Sequence, residues 1–536
     1  MNRPGSALHA ETSRRAFLRL GVASAGLVGA GMLGFAGCAV AARPEASQTG
    51  PGYDYIMPTD PEVARAEQVR AASGRIAAFS LAAAPAVVDL AGTKVMTWAY
   101  GGKAVAPELR VGRGDRMQVA VTNGLPADTT LHWHGIRIRN DMDGAAPTTQ
   151  RPIAANGGEH AYDFIVPDPG THWYHSHSGL QADRGLFGAL IVEDPDDATG
   201  ADADAVLVLD DWLDGLGTTP DAVLLALNPA LAGAHGHHGD GTTPPPTGVS
   251  ATASDEEYAT AQELIDHGHG DSEALGGMTQ HIAYPMHLIN GRPPADPETI
   301  EALAGQRLRL RIINAAAETP YRFAVAGHEL TVIAVDGFDT EPATADAVII
   351  GMAQRVDVLI TVSSGAWPVV AAVEGREGHA ATVLRTADAS VSAGPLPARL
   401  PEHDRRLVLE SELRPAQSTV LDVREPDRDY RVELIVAGER YAWGMVGDAG
   451  ELVMKQGERV RITMTNTTPM WHPMHTHGHT FAVPSYGGLR RDTVNVLPGQ
   501  ELTIEFDADN PGEWMFHCHN AYHFEAGMTA NLRYIR

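Results

Sequence analysis

Four short segments of this 536-residue chain carry histidines in the spacing His-x-His: "LHWHG" (His132, His134), "WYHSHSG" (His175, His177), "HPMHTHGH" (His475, His477) and "FHCHN" (His517, His519). The chain has 24 histidines, and random placement yields about one such pair. In an extended strand, residues i and i+2 point to the same face, so each pair offers two imidazoles able to reach different metals of a cluster. The last segment also holds Cys518, one of only two cysteines, between two histidines. Further along, "MFHCHNAYHFEAGM" supplies His523 and Met528, and "HPMH" supplies His472. A thiolate, two imidazoles and a weak axial thioether are the donor set of a blue-copper electron-transfer site. His517 and His519 point to the opposite face from Cys518, so an electron received on the thiolate side has a covalent path to whatever metals those neighbours hold.

Such pairs need strands to hold them. "RMQVAVTNGLP" (116–126), "RLRLRIINAAAETP" (307–320) and "RVRITMTNTTPM" (459–470) share one pattern: a Gly-led turn, an alternating strand, then Asn and a loop. Three occurrences predict three copies of one β-domain in an all-β protein of sandwich type. The polar stretch "VEDPDDATGADADA" and the Pro-rich "SAGPLPARLPEHD" set the expected boundaries, giving domains 85–200, 201–398 and 399–536 behind a Pro/Ala-rich tether that ends near Pro85. Residues 231–281 form a low-complexity insertion with His235, His237, His238, His267, His269 and His281, read as a loop that could bind metal loosely.

Length and a 44% apolar content suit about three domains with real cores. Forty basic against 67 acidic residues give a formal charge of −27, which disfavours nucleic acid and anionic membrane surfaces and suits cations. Two cysteines, Cys38 and Cys518, predict no disulfide framework. Residues 1–45 resemble a twin-arginine export signal, with Arg14 and Arg15 ahead of an Ala/Gly-rich apolar run. That run ends in "GFAGC", similar to a lipoprotein processing site, which makes Cys38 a candidate lipid attachment point; cleavage at "AVAA" is the alternative. The expected location is therefore the cell envelope, the periplasm or the exterior.

With these motifs in order, the chain from about Pro85 to Arg536 resembles the three-domain multicopper oxidases, the family of laccases and bacterial copper-resistance oxidases; "YPMHLING" and "GMAQRVDVLI" in the middle domain resemble it too. The resemblance implies three cupredoxin-like Greek-key domains and about four coppers per chain. It implies a blue (type 1) copper on His472, Cys518, His523 and Met528, and a type 2 copper on His132 and His475. It places a type 3 pair on His134, His175 and His519 and on His177, His477 and His517. Asp143, in the "DG" after the first pair, matches the family's acidic residue beside the cluster and is the expected proton source. After His523 the chain departs: Phe524 stands where several bacterial relatives carry an acid, and Glu525 follows it. His479 is read as a residue that supports the ligand histidines or as structural, since ten histidines already complete the sites.

The implied activity is one-electron oxidation of Cu(I), another metal ion or phenols, coupled to reduction of O2 to water. Met528, the acidic surface and the His-rich insertion with Met278 and Met286 favour a metal-oxidising role in copper tolerance over a laccase role. A copper-storage protein without turnover is the reading from another class; a monomer is expected.

Overall fold

Each of the strands Arg116–Asn123, Arg307–Asn314 and Arg459–Asn466 runs through the interior of a sheet, and all three are paired alike. On one side each takes a parallel neighbour from earlier in the chain: Ile76–Leu90, Ala203–Trp212 and Arg428–Val436 respectively. On the other side each takes an antiparallel neighbour: Gly158–Ile165, Arg355–Thr361 and Glu501–Asp507. The computed structural model describes residues 52–230, 253–387, 396–438 and 441–536. The export and lipid-attachment readings at Arg14, Arg15 and Cys38, and those at His235, His237 and His238, lie outside these residues.

Every repeat adds a second sheet, so the described chain is an all-β array of three cupredoxin-like domains. In the first domain, Val119 and Val121 from one sheet share a core with Trp133, Tyr174 and Leu190 from the other. The alternation of Arg116–Asn123 produces this, because its Met117, Val119 and Val121 are buried while Arg116, Ala120 and Thr122 are exposed. Burying each such side chain contributes about 1.5–3 kcal/mol.

The Asn that closes each strand explains why the pattern recurs. Asn123 donates from Nδ2 to the carbonyls of Ala127 and Ile153, Asn314 to those of Thr319 and Ile350, and Asn466 to those of Met470 and Val496. Each Oδ1 accepts from the backbone N–H two residues on, at Leu125, Ala316 and Thr468. All three side chains are fully buried, so each pins the loop that leads into the next strand. Nine and eleven residues after Asn123 stand His132 and His134, and at the same offsets from Asn466 stand His475 and His477. After Asn314 those offsets hold Phe323 and Val325, which enter the apolar core.

Two expectations are corrected. The stretch before Pro85 is not a plain tether: it forms the helix Pro61–Gln68 and the strand Ile76–Leu90, which contains Pro85. The second half of the His-rich insertion is folded. Ser254 caps the helix Asp255–Asp266, accepting from Glu257 N–H, while the Glu257 side chain accepts from the Ser254 backbone. Ala261, Leu264 and Ile265 of this helix pack with Val223 and Leu224 of the helix Pro220–Leu227. Among the described residues, no helix is long and apolar enough to cross a membrane.

Candidate metal centre

Two pairs of antiparallel strands carry most of the donors; His177, His477 and His519 follow just past their ends, and His523 lies on the helix Ala521–Glu525. In the first domain, His132–His134 lies against Gly170–His175 with His132 opposite His175. In the third, His472–Thr476 lies against Glu513–Cys518 with His475 opposite His517 and Met474 opposite Cys518. The period of two sends His517 and Cys518 to opposite faces, as the sequence requires. Nine of the ten histidines and Cys518 are buried, and His519 is partly buried.

The eight histidines of the predicted cluster converge from both domains. Ring centroids of His134, His175 and His519 lie 4.9–5.8 Å apart, and those of His177, His477 and His517 lie 4.9–5.4 Å apart. His132 and His475 are 6.1 Å apart. Ligand-capable atoms of His132, His134 and His175, of His132, His475 and His477, and of His177, His477 and His517 each fall within 4.8 Å of one another.

The hydrogen bonds of these rings test whether a metal fits. Nδ1 of His132, His175, His475 and His517 donates at 2.9 Å to the carbonyls of Asp143, Ser176, Asp492 and Cys518. Nδ1 of His477 donates to Asp143 Oδ2 at 2.9 Å, and Nε2 of His134 to Asp492 Oδ1 at 3.1 Å. Those partners assign the tautomers and leave the opposite nitrogens with free lone pairs. His132 Nε2, His134 Nδ1, His175 Nε2, His475 Nε2 and His519 Nε2 are buried without a hydrogen-bond partner among the described residues. His477 Nε2 lies 3.0 Å from His517 Nε2, two acceptors facing each other. A nest of buried acceptors without donors is costly unless cations fill it. Burial also pulls the rings toward neutrality: His177 is brought down to about 3, and His134, His175, His477, His517 and His519 fall well below the usual value. Neutral imidazole is the form that ligates copper, so the residues fit.

The thiolate side converges as tightly. Cys518 Sγ lies 3.7 Å from Nδ1 of both His472 and His523, whose Nδ1 atoms are 3.1 Å apart. The outer nitrogen of His472 bonds Thr468 Oγ1 at 2.7 Å, and burial lowers its ring to about 3. Cys518 N–H donates to the carbonyl of Met528, and Met528 N–H to that of His523, so the loop brings Met528 back against Cys518 in the same core. Burial raises the Cys518 thiol, and ionising it calls for a nearby cation.

Some contributors escape the sequence reading. Asp492 is fully buried and accepts from His134 and from the guanidinium of Arg355. Burial opposes its ionisation, but Arg355, His134 and His475 hold its carboxyl well below the usual range. Arg355 sits inside "GMAQRVDVLI", where a charge in an apolar run was the available signal. Asp143 is buried beside His132 and His477 as well as near the pair that precedes it. Phe524 packs on His177 and His517, with centroids 5.1 and 4.7 Å away, and burial pushes Glu525 up to about 8. His479 bonds the His477 carbonyl and Tyr534 OH. His267 bonds the Glu263 carbonyl and His269 pairs with Asp271.

Fold and site together define a cupredoxin-fold oxidoreductase whose cofactor is copper. Multicopper oxidase profiles match residues 83–197, 258–389 and 415–535. The multicopper oxidase MmcO of Mycobacterium tuberculosis (strain ATCC 25618 / H37Rv) is 40% identical over 98% of this chain and 97% of its own length. Copper resistance protein A of Escherichia coli is 27% identical over 85% of this chain and 92% of its own. The crystal structure of Fet3p, a multicopper oxidase that functions in iron import, superposes with a TM-score of 0.66 at 22% identity, covering 86% of this chain and 90% of that one. The chain belongs to the multicopper oxidase family.

Proposed function

We propose that this oxidase takes electrons one at a time from a reduced metal ion, Cu(I) foremost, and also from phenols, and reduces O2 to water in the service of copper tolerance outside the cytoplasm. His472, Cys518, His523 and Met528 would hold the electron-accepting copper. His132 and His475 would hold a second, and His134, His175 and His519 with His177, His477 and His517 a facing pair, about four coppers in all. Bound copper supplies the one-electron redox chemistry at both places and the four-electron capacity that O2 needs. The chain supplies the rest. Cys518 is covalently continuous with His517 and His519, so the shortest link between the two donor sets is one stretch of backbone. Asp143 and Asp492 fix ring orientation, and Asp143 is the buried acid placed to hand on protons.

One observation carries the choice of donor. His523, the ring through which electrons would arrive, is fully buried. Trp443 covers it at 4.1 Å, His281 at 5.6 Å and Tyr441 at 5.7 Å between centroids. A covered edge suits a small ion better than a phenol. Oxygen uptake by the copper-loaded protein with Cu(I) and with a phenol, compared by kcat/KM, tests this: higher efficiency with the phenol returns the laccase reading, and no uptake with either returns the storage reading. Export through Arg14 and Arg15 and lipid attachment at Cys38 belong to the same proposal, tested by fatty-acid labelling of the wild type and Cys38→Ala.

A further inference from the structure

We propose that Asn510 is a positioning residue for the histidine cluster, setting the third domain against the first, and that Arg70, from the segment ahead of the first domain, holds it in place. The inference rests on the cluster assignment above. The cluster draws donors from both domains, so its geometry follows how the two are seated on each other, whereas His472, Cys518, His523 and Met528 all come from the third. Asn510 is 2% exposed and lies at that seam. Its Nδ2 donates to the carbonyl of Ile138, shortly after His134, at 2.8 Å, and to the carbonyl of Gly478, next to His477, at 2.9 Å. One amide group thus ties the chain leaving the first His-x-His pair to the chain leaving the third.

A second route reaches the same ligand. Asn510 N–H donates to the Tyr534 hydroxyl at 3.2 Å, Tyr534 O–H to His479 Nε2 at 2.7 Å, and His479 Nδ1–H to the His477 carbonyl at 3.0 Å. The indole N–H of Trp514 donates to the Asn510 carbonyl at 2.8 Å. With its backbone and side-chain groups all engaged, Asn510 has one orientation. The first domain reciprocates through Asn140, whose Nδ2 donates to the Glu513 carbonyl at 2.6 Å and whose Oδ1 accepts from Glu513 N–H at 3.2 Å. Arg70 Nη2 donates to Asn510 Oδ1 at 3.2 Å, and its Nε pairs at 3.0 Å with Glu67, which accepts from Ile165 N–H of the first domain at 2.6 Å. The segment carrying Arg70 straddles the seam. Ile56 N–H donates to the Tyr534 carbonyl and Arg536 N–H to that of Asp54, while Ser73 N–H donates to the Gly114 carbonyl of the first domain. This segment precedes residues 83–197, so the profile that covers the first domain does not include it.

Asn510→Asp keeps the shape and the acceptor for Arg70 but sets a carboxylate oxygen against two carbonyls. In copper-loaded protein, reoxidation by O2 should slow about 10- to 100-fold. The non-blue Cu(II) signal in electron paramagnetic resonance should shrink, because His132 and His475, one from each domain, are the only two imidazoles assigned to that copper. The blue band, and the rate at which the blue site is reduced without O2, should stay at wild-type values. Arg70→Ala should act in the same sense more weakly, and Arg70→Lys, which restores a donor, should recover part of the loss. Wild-type resonance and reoxidation in Asn510→Asp overturn the proposal. Parallel loss of blue and non-blue copper, with a lowered unfolding midpoint of the metal-free protein, overturns it as well and makes Asn510 a general fold residue. Should Asn510→Asp not fold, Arg70→Ala decides, since it leaves the amide's own donations in place: wild-type values there overturn the proposal. A wild-type protein that binds copper with no non-blue signal removes the cluster assignment itself, before any variant is compared.

Discussion

Asp143 Oδ2 lies 2.9 Å from Nδ1 of His477, a contact that crosses from the first domain to the third. The other carboxylate oxygen is 3.2 Å from Nδ1 of His132, so a single side chain orients imidazoles from both halves of the cluster. Asp143→Asn keeps the size but replaces one acceptor with an amide that donates toward a ring N–H. Turnover should fall about 10- to 100-fold, with reoxidation by O2 slowed more as pH rises and the blue band intact. Wild-type reoxidation rates at every pH would leave Asp143 a turn residue only.

Cys518→Ser should abolish the blue colour and turnover, because serine supplies no thiolate for the intense charge-transfer band. The histidine cluster lies on the opposite face of the strand, so about three coppers per chain should remain by metal analysis. A persistent blue band would refute the assignment.

Arg355→Met should leave Asp492 buried without its cation. Breaking such a pair costs about 3–5 kcal/mol, read here as a lowered unfolding midpoint. Because Asp492 also holds His134, copper content of the cluster should fall in the same variant. A stable, fully loaded variant would show that the pair is dispensable.

Metal-free protein should lose stability in acid in a defined window. Burial lowers His479 and His172 to about 4 and His287 to about 3, and none of them is assigned to copper. The unfolded chain, with histidines near 6.5, takes up protons that the folded chain refuses. Stability is therefore full above about pH 6.5 and falls as pH drops toward those values. Chemical-denaturation midpoints between pH 7 and 4.5 should decline steadily; a flat profile would contradict the burial argument.

Deleting residues 232–251, which stops short of the capped helix Asp255–Asp266, should leave the unfolding midpoint and phenol oxidation unchanged. If His235, His237 and His238 gather copper, Cu(I) oxidation should weaken at low copper and recover near saturation. A deletion reaching residue 276 should in addition destabilise the fold, since it removes Ala261, Leu264 and Ile265 from their core. Equal Cu(I) kinetics with and without 232–251 would assign that stretch a linking role.

The donor histidines are legible in the sequence because a spacing of two on a strand fixes their face whatever surrounds it. The three Arg-to-Asn strands are legible as a repeat, although their sequence does not announce that the Asn is the clamp. Asp492 and Arg355 are not legible as a pair, because they lie 137 residues apart and a lone charge in an apolar run looks the same whether paired or solvated. The helix Asp255–Asp266 carried its signature, Ser254-x-x-Glu257, but Gly- and His-rich flanks hid it.

The register of Glu513–Cys518 against His472–Thr476 sets Met474 opposite Cys518 and His475 opposite His517. A slip of one residue inverts every side chain on the strand, and here that would carry sulfur into the imidazole nest and an imidazole into the thiolate pocket. Both centres would fail together. Neither can drift independently during evolution, because an insertion or deletion that harms one poisons the other, and the two must be inherited as a single indivisible part.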